Sequence, residues 1–118
     1  MHNFKRLEIW IKSMNIVTEI YQITNTFPNH ERFGLISQMQ RSAVSIPTNI
    51  AEGSAKTSNK DFARFLEISI GSSFELETEL IVSFNLKYIE SAVYEDILNK
   101  ISEIQKMING FKNKLDEE

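Results

Sequence analysis

Two histidines and no cysteine leave this 118-residue chain few groups that could do chemistry. A carboxylate-bridged metal centre in a helical bundle needs Glu and His three residues apart on helices, and neither His2 nor His30 has that partner. A phosphate-cradling loop needs clustered glycines, but Gly34, Gly53, Gly71 and Gly110 lie far apart. Serines are plentiful, yet none sits in a GxSxG elbow. Glu75 and Glu79 are one helical turn apart and could in principle exchange a proton with a substrate. Nothing in the sequence marks a pocket beside them, so a solvated acidic face is the plainer reading. No catalytic residue, cofactor or metal is expected.

The remaining candidates are binding residues. Lys5, Arg6 and Lys12 form one basic group, and Lys56, Lys60 and Arg64 another. Phosphate recognition needs several such charges acting together. One chain offers few, and its net charge is −3, so no global positive field attracts nucleic acid. A ring of copies would multiply the patch. A third group is polar but lightly charged. Arg41, Ser45, Thr48 and Glu52 recur at i, i+4, i+7 and i+11, on one helical stripe with Gln38 and Asn49 nearby. Such a stripe is either a binding surface or a hydrogen-bond network that fixes helix register. Polar stripes most often bond to their own protein. Arg41 and Glu52 are therefore expected to be partly buried and bonded within the protein or its assembly.

Helices must position these groups. Four Gly and two Pro leave little material for hairpin turns. Hydrophobic residues at 42% and charged residues at 25% are ordinary globular values. Periodicity predicts helices near residues 4–26, 32–55, 58–86 and 91–115. Pro47 predicts a kink or local break in the second, and Gly53 is a plausible C′ residue after a regular stretch that runs to about Glu52. Ser58 is positioned to cap the third. Short connections make sequential helices antiparallel. The expected fold is all-α, an antiparallel up-and-down four-helix bundle forming one domain over 1–118. No apolar run approaches a membrane span, and a soluble, cytoplasmic protein is expected.

The helical faces also predict self-association. The fourth helix has one apolar seam, from Tyr94 through Ile97, Ile101, Ile104, Ile108 and Phe111 to Leu115. The first has two. Leu7, Trp10, Met14, Val17 and Tyr21 form one, and Ile9, Ile16, Ile20 and Ile23 the other. The third also has two, the second being Ala63, Ile70, Phe74 and Ile81. Contiguous apolar patches on monomers are limited in size. The second stripes, Ile9, Ile16, Ile20 and Ile23 or Ala63, Ile70, Phe74 and Ile81, are expected to be covered by a neighbouring copy. Two different faces favour a head-to-tail contact that closes into a ring.

Three strings of residues carry a resemblance. Phe27-Pro28-Asn29-His30-Glu31-Arg32-Phe33-Gly34-Leu35 fits FPxxExxGL. The run from Gln38 to Gly53 fits QxxRSAxSIPxNIAEG, and Phe65 to Glu77 fits FLxIAxGSxxELE. The chain from about Phe4 to Ile89 thus resembles the four-helix-bundle proteins encoded by intervening sequences in bacterial large-subunit (23S) ribosomal RNA genes. Gln40 stands where that family usually has a second basic residue, and Lys56 where it often has Arg. The resemblance implies a homopentamer. It also implies kinship with the accessory protein of diversity-generating retroelements, a basic pentamer that binds nucleic acid and a reverse transcriptase. The function read from residues and resemblance together is a non-enzymatic oligomeric scaffold or interaction module engaging RNA or a nucleic-acid-binding protein. The alternative is a protein-only adaptor without nucleic-acid contact.

Overall fold

The computed structural model describes residues 2–117. The main helices are α1 (Glu8–Thr24), α2 (Leu35–Ser54), α3 (Asn59–Asn85) and α4 (Ser91–Glu117). Short 3-10 turns at Phe4–Arg6 and Asn29–Glu31 precede α1 and α2. No strand occurs among the described residues. Each helix packs on its neighbours in a square: α1 on α2 and α4, and α3 on α2 and α4. Cross-helix bonds run in descending register. Ser45 meets Ser72 while Met39 meets Ser83, and Lys12 meets Glu103 while Glu19 meets Lys100. Neighbours are therefore antiparallel, in a bundle of 46 × 24 × 20 Å.

One stripe from each helix fills the core. α1 contributes Ile9, Ile16 and Ile20, and α2 contributes Met39, Ala43, Ile46 and Ile50. α3 adds Phe62, Leu66, Leu76 and Leu80, and α4 adds the predicted seam from Ile97 to Leu115. Each such side chain stabilises the fold by roughly 1.5–3 kcal/mol when fully buried.

This reverses the expectation for α1. Ile9, Ile16 and Ile20 are buried inside their own subunit and cannot form an outer face. Both stripes are apolar, but only the isoleucine stripe is free of N–H and O–H groups throughout. Trp10 and Tyr21 on the other stripe have polar groups that would need partners inside. The two polar residues on the inner face satisfy themselves: Ser13 Oγ donates to Trp10 O (2.9 Å) and Thr24 Oγ1 to Ile20 O (2.8 Å). Ala63 is also buried, beside Leu115 of α4. Ile23 and Ile70 are half-buried against the core. Of the residues predicted to form an interface, Phe74 and Ile81 are the ones left exposed.

In α2 the local break expected at Pro47 does not occur: the helix continues through the buried proline. Proline removes one backbone donor, a loss confined to a single turn. Extra donors reach the three carbonyls just before it: Thr48 Oγ1 to Val44 O, Asn49 Nδ2 to Ser45 O and Ser69 Oγ to Ile46 O. Gly53 lies within the last turn of α2 rather than beyond it. A Cβ there would stand 2.7 Å from the Phe65 Cβ and 2.9 Å from the Phe62 ring. Its role is close approach of α2 to α3.

The ends are tied as well. Ser58 Oγ accepts from Asp61 N, the predicted cap of α3. α3 ends with Lys87 at φ 66°, Lys87 N donating to Phe84 O and Tyr88 N to Ser83 O, a Schellman closure without its usual glycine. Tyr88 then packs at a tilt against buried Phe27 and donates to Glu31 Oε2 (3.0 Å), while Glu31 Oε1 accepts from Leu35 N (3.4 Å). The FPxxExxGL string thus joins the two connections at one end of the bundle.

The glycines give a paired prediction. Gly53→Ala should cost about 1–3 kcal/mol, since the seam must open to admit a methyl group. Gly110→Ala, where nothing lies within 4 Å, should gain up to about 1 kcal/mol of helix propensity. Urea-unfolding midpoints of the two variants should move in opposite directions.

Candidate functional site

Three surfaces bring the predicted binding residues together, or separate them. The first is the end of the bundle where α1 begins. His2 N donates to Ser54 O, and the His2 ring packs edge-on to Phe62 and Phe111. That contact places Lys5 and Arg6 at the same end of the bundle as Lys56, Lys60 and Arg64. Lys56 Nζ lies 5.0 Å above the Phe65 ring. α4 ends here too, adding Lys112 and Lys114. Acidic residues share this end. Arg64 contacts Asp61 at 3.8 Å, and Lys112 contacts Glu67 at 3.5 Å. A shallow cleft of about 340 Å³ between α3 and α4 is lined by Lys60, Arg64, Glu67 and Asp116. Lys12 belongs to a different surface, paired with Glu103 across α1 and α4 at 3.2 Å. Arg41 lies further along α2.

The second surface is the outer face of the α2–α3 seam. Half of the predicted polar network forms. Ser45 Oγ bonds Ser72 Oγ at 2.8 Å, and Asn49 Nδ2 donates to Ser45 Oγ at 3.0 Å. Gln38, Arg41 and Glu52 stand outside it and are exposed. Within the subunit Arg41 and Glu52 are exposed, and neither makes an ion pair or hydrogen bond with another described residue, although Arg41 is close enough to act electrostatically on Glu79. The reason is rotational. Burying Ala43, Ile46 and Ile50 turns 41 and 52 outward on α2. Gln40, with no predicted role, donates instead to Thr24 Oγ1 (3.2 Å).

Glu79 is the unusual carboxylate of this surface. Its Oε1 is buried without a hydrogen-bond partner. Burial pushes its pKa above the ordinary carboxylate value, against the Ser42 hydroxyl that lowers it. Glu75 raises it further, while Arg41 opposes the shift. The two glutamates do not line any well-formed cavity with a nucleophile. Among the described residues no group of three His, Asp or Glu could hold a metal.

The third surface is apolar. Trp10, Met14 and Val17 of α1 face Val44, Pro47, Thr48 and Ala51 of α2 across an open groove of about 400 Å³. Ile68, Phe74, Ile81 and Val82 project from α3, Phe74 at 56% exposure. The α1 half was visible in sequence as the Trp10–Met14–Val17 stripe, but was assigned to the core.

A family model described as 23S rRNA-intervening sequence protein matches residues 5–110. The chain belongs to that family. The strings around Pro28, Pro47 and Gly71 that carried the resemblance all lie within the match. A crystal structure from Bacteroides thetaiotaomicron, described as a protein with unknown function from the S23 ribosomal protein family, has the same fold. It is 28% identical, with a TM-score of 0.82 over 89% of this chain and 95% of that one. No curated protein matches. The family and its solved relative indicate no catalytic class. Among the described residues no helix is long and apolar enough to cross a membrane.

The Glu79 shift sets a pH dependence. A carboxyl with a raised folded-state pKa favours the fold while protonated. That contribution is complete below the ordinary glutamate value and is lost as pH rises through the raised one. Glu79→Gln keeps the neutral form at every pH. Its stability relative to wild type should therefore increase between pH 4 and pH 7, measured as the difference in urea midpoints at the two values.

Proposed function

We propose that this family member is a non-enzymatic, cytoplasmic scaffold that assembles from several copies and engages RNA or a nucleic-acid-binding protein. The observation that carries the reading is the exposed apolar surface on α1, α2 and α3: Met14, Tyr21, Val44, Ile68, Phe74 and Ile81. Charged side chains normally occupy such positions in a solvated bundle. The number five comes from the family resemblance, as does kinship with retroelement accessory proteins.

The gathering of Lys5, Arg6, Lys56, Lys60 and Arg64 at one end of the bundle supports RNA as the partner. A ring of copies would place five such ends on one rim, a local positive field on a particle whose net charge remains −3 per subunit. The protein-only adaptor draws support from the same end, because Asp61, Glu67 and Asp116 neutralise part of its charge.

Fluorescence anisotropy with a labelled RNA hairpin separates the two. RNA contact predicts binding at about 50 mM salt that falls steeply by about 200 mM, as phosphate contacts do. Lys56→Glu combined with Lys60→Glu should then weaken binding at least tenfold, at unchanged helical content. Absence of binding at low salt would establish the adaptor reading instead.

A further inference from the structure

The end of the bundle opposite the basic group carries an aromatic ring that the core leaves out. Phe33, in the connection between α1 and α2, is 89% exposed, the most of any large apolar side chain among the described residues. One exposed apolar residue needs no explanation by itself. The setting of this one does. Phe27 already fills the core position at this end, and Tyr88 packs against it. Glu31 clamps the turn, accepting from Leu35 N and from the Tyr88 hydroxyl, and Gly34 N bonds back to Glu31 O. Phe33 is therefore held outward on a fixed turn, with no vacancy to fold into.

Cations flank the ring. The guanidinium carbon of Arg32 lies 5.5 Å from the Phe33 ring centroid, in cation–π range. At 89% exposure the ring's other face is open to solvent. Lys87, in the facing connection between α3 and α4, borders a shallow, mainly apolar cleft of about 520 Å³ beside Phe84 and Tyr88, with Glu90 as its one carboxylate. Neither Arg32 nor Lys87 has an ion pair with another described residue. Arg64 and Lys112 at the opposite end are instead paired with Asp61 and Glu67.

An open ring face beside unpaired cations suits an unpaired nucleotide, because every base has a π-face and the backbone follows positive charge. A partner protein's helix would need a groove for its apolar face, and Phe33 is a projection. We propose that this end of the bundle holds single-stranded RNA, with one base stacked on the open face of Phe33, Arg32 on the opposite face and Lys87 supplying charge to the backbone. The inference rests on the RNA arm of the proposed function. It adds a second contact at the other end of a 46 Å bundle, made by stacking rather than by charge alone.

Fluorescence anisotropy with a short labelled oligoadenylate, beside the RNA hairpin, tests it. Phe33→Ala should keep full helical signal by circular dichroism, because the side chain is exposed. Its affinity for oligoadenylate should fall about fivefold or more, with the salt dependence unchanged because no phosphate contact is lost. Phe33→Trp should retain binding, and the added indole should be quenched by the oligoadenylate beyond any change shown by Trp10 in wild type. If the hairpin binds but oligoadenylate does not, or binds wild type and Phe33→Ala equally, the stacking site is wrong and the RNA reading stands. If oligoadenylate binds through Phe33 and the hairpin does not bind, the stacking site stands and the basic end loses its role. If neither RNA binds at about 50 mM salt, both fall, and the exposed ring belongs to a protein contact.

Discussion

The close approach of α2 to α3 sets the geometry of everything else. Gly53 lets the end of α2 lie against the Phe65 Cβ and the Phe62 ring, where a single methyl group would collide. Further along, Ser69 Oγ donates to the buried carbonyl of Ile46. That bond satisfies a hydroxyl that would otherwise cost about 1–3 kcal/mol inside the core. Ser45 and Ser72 close the outer rim. Small residues at these positions bring the two backbones together and fix the rotation of α2. With Ala43, Ile46 and Ile50 turned inward, Arg41, Thr48 and Glu52 have to face out.

The square arrangement then decides what is left over. In an up-and-down bundle each helix can bury one stripe against two neighbours, and a second stripe has nowhere to go. α4 has one seam and a solvated back carrying Lys100 and Glu103, which pair with Glu19 and Lys12. α1 and α3 each have a second stripe. The fold therefore needs no partner to complete its core, yet it presents apolar surface on α1, α2 and α3.

Much of this was legible in the residues. Helix number, the Ser58 cap and the seam of α4 follow from periodicity and capping chemistry, because each depends on neighbours close in sequence. The choice between the stripes of α1 was not legible, since both are apolar and only tertiary packing ranks them. Ser13 and Thr24 masked the inner face by looking polar while bonding their own helix. Pro47 does not break α2 because a proline's cost is local and the donors that surround it come from side chains, one of them on α3. Arg41 and Glu52 read as network members because they share a stripe with Ser45. A rotation of α2 by a fraction of a turn separates those that bond inside from those that do not.

This rRNA-intervening-sequence family member has a complete small core, a basic end mixed with carboxylates, and exposed apolar side chains on α1, α2 and α3. The central proposal is that the 13.7 kDa chain does not remain single in solution. Native mass spectrometry of the wild-type protein at micromolar concentration tests this most directly. The account predicts a dominant species at a whole-number multiple of the subunit mass, five being the multiple the family resemblance implies. A spectrum holding only the 13.7 kDa species would contradict it.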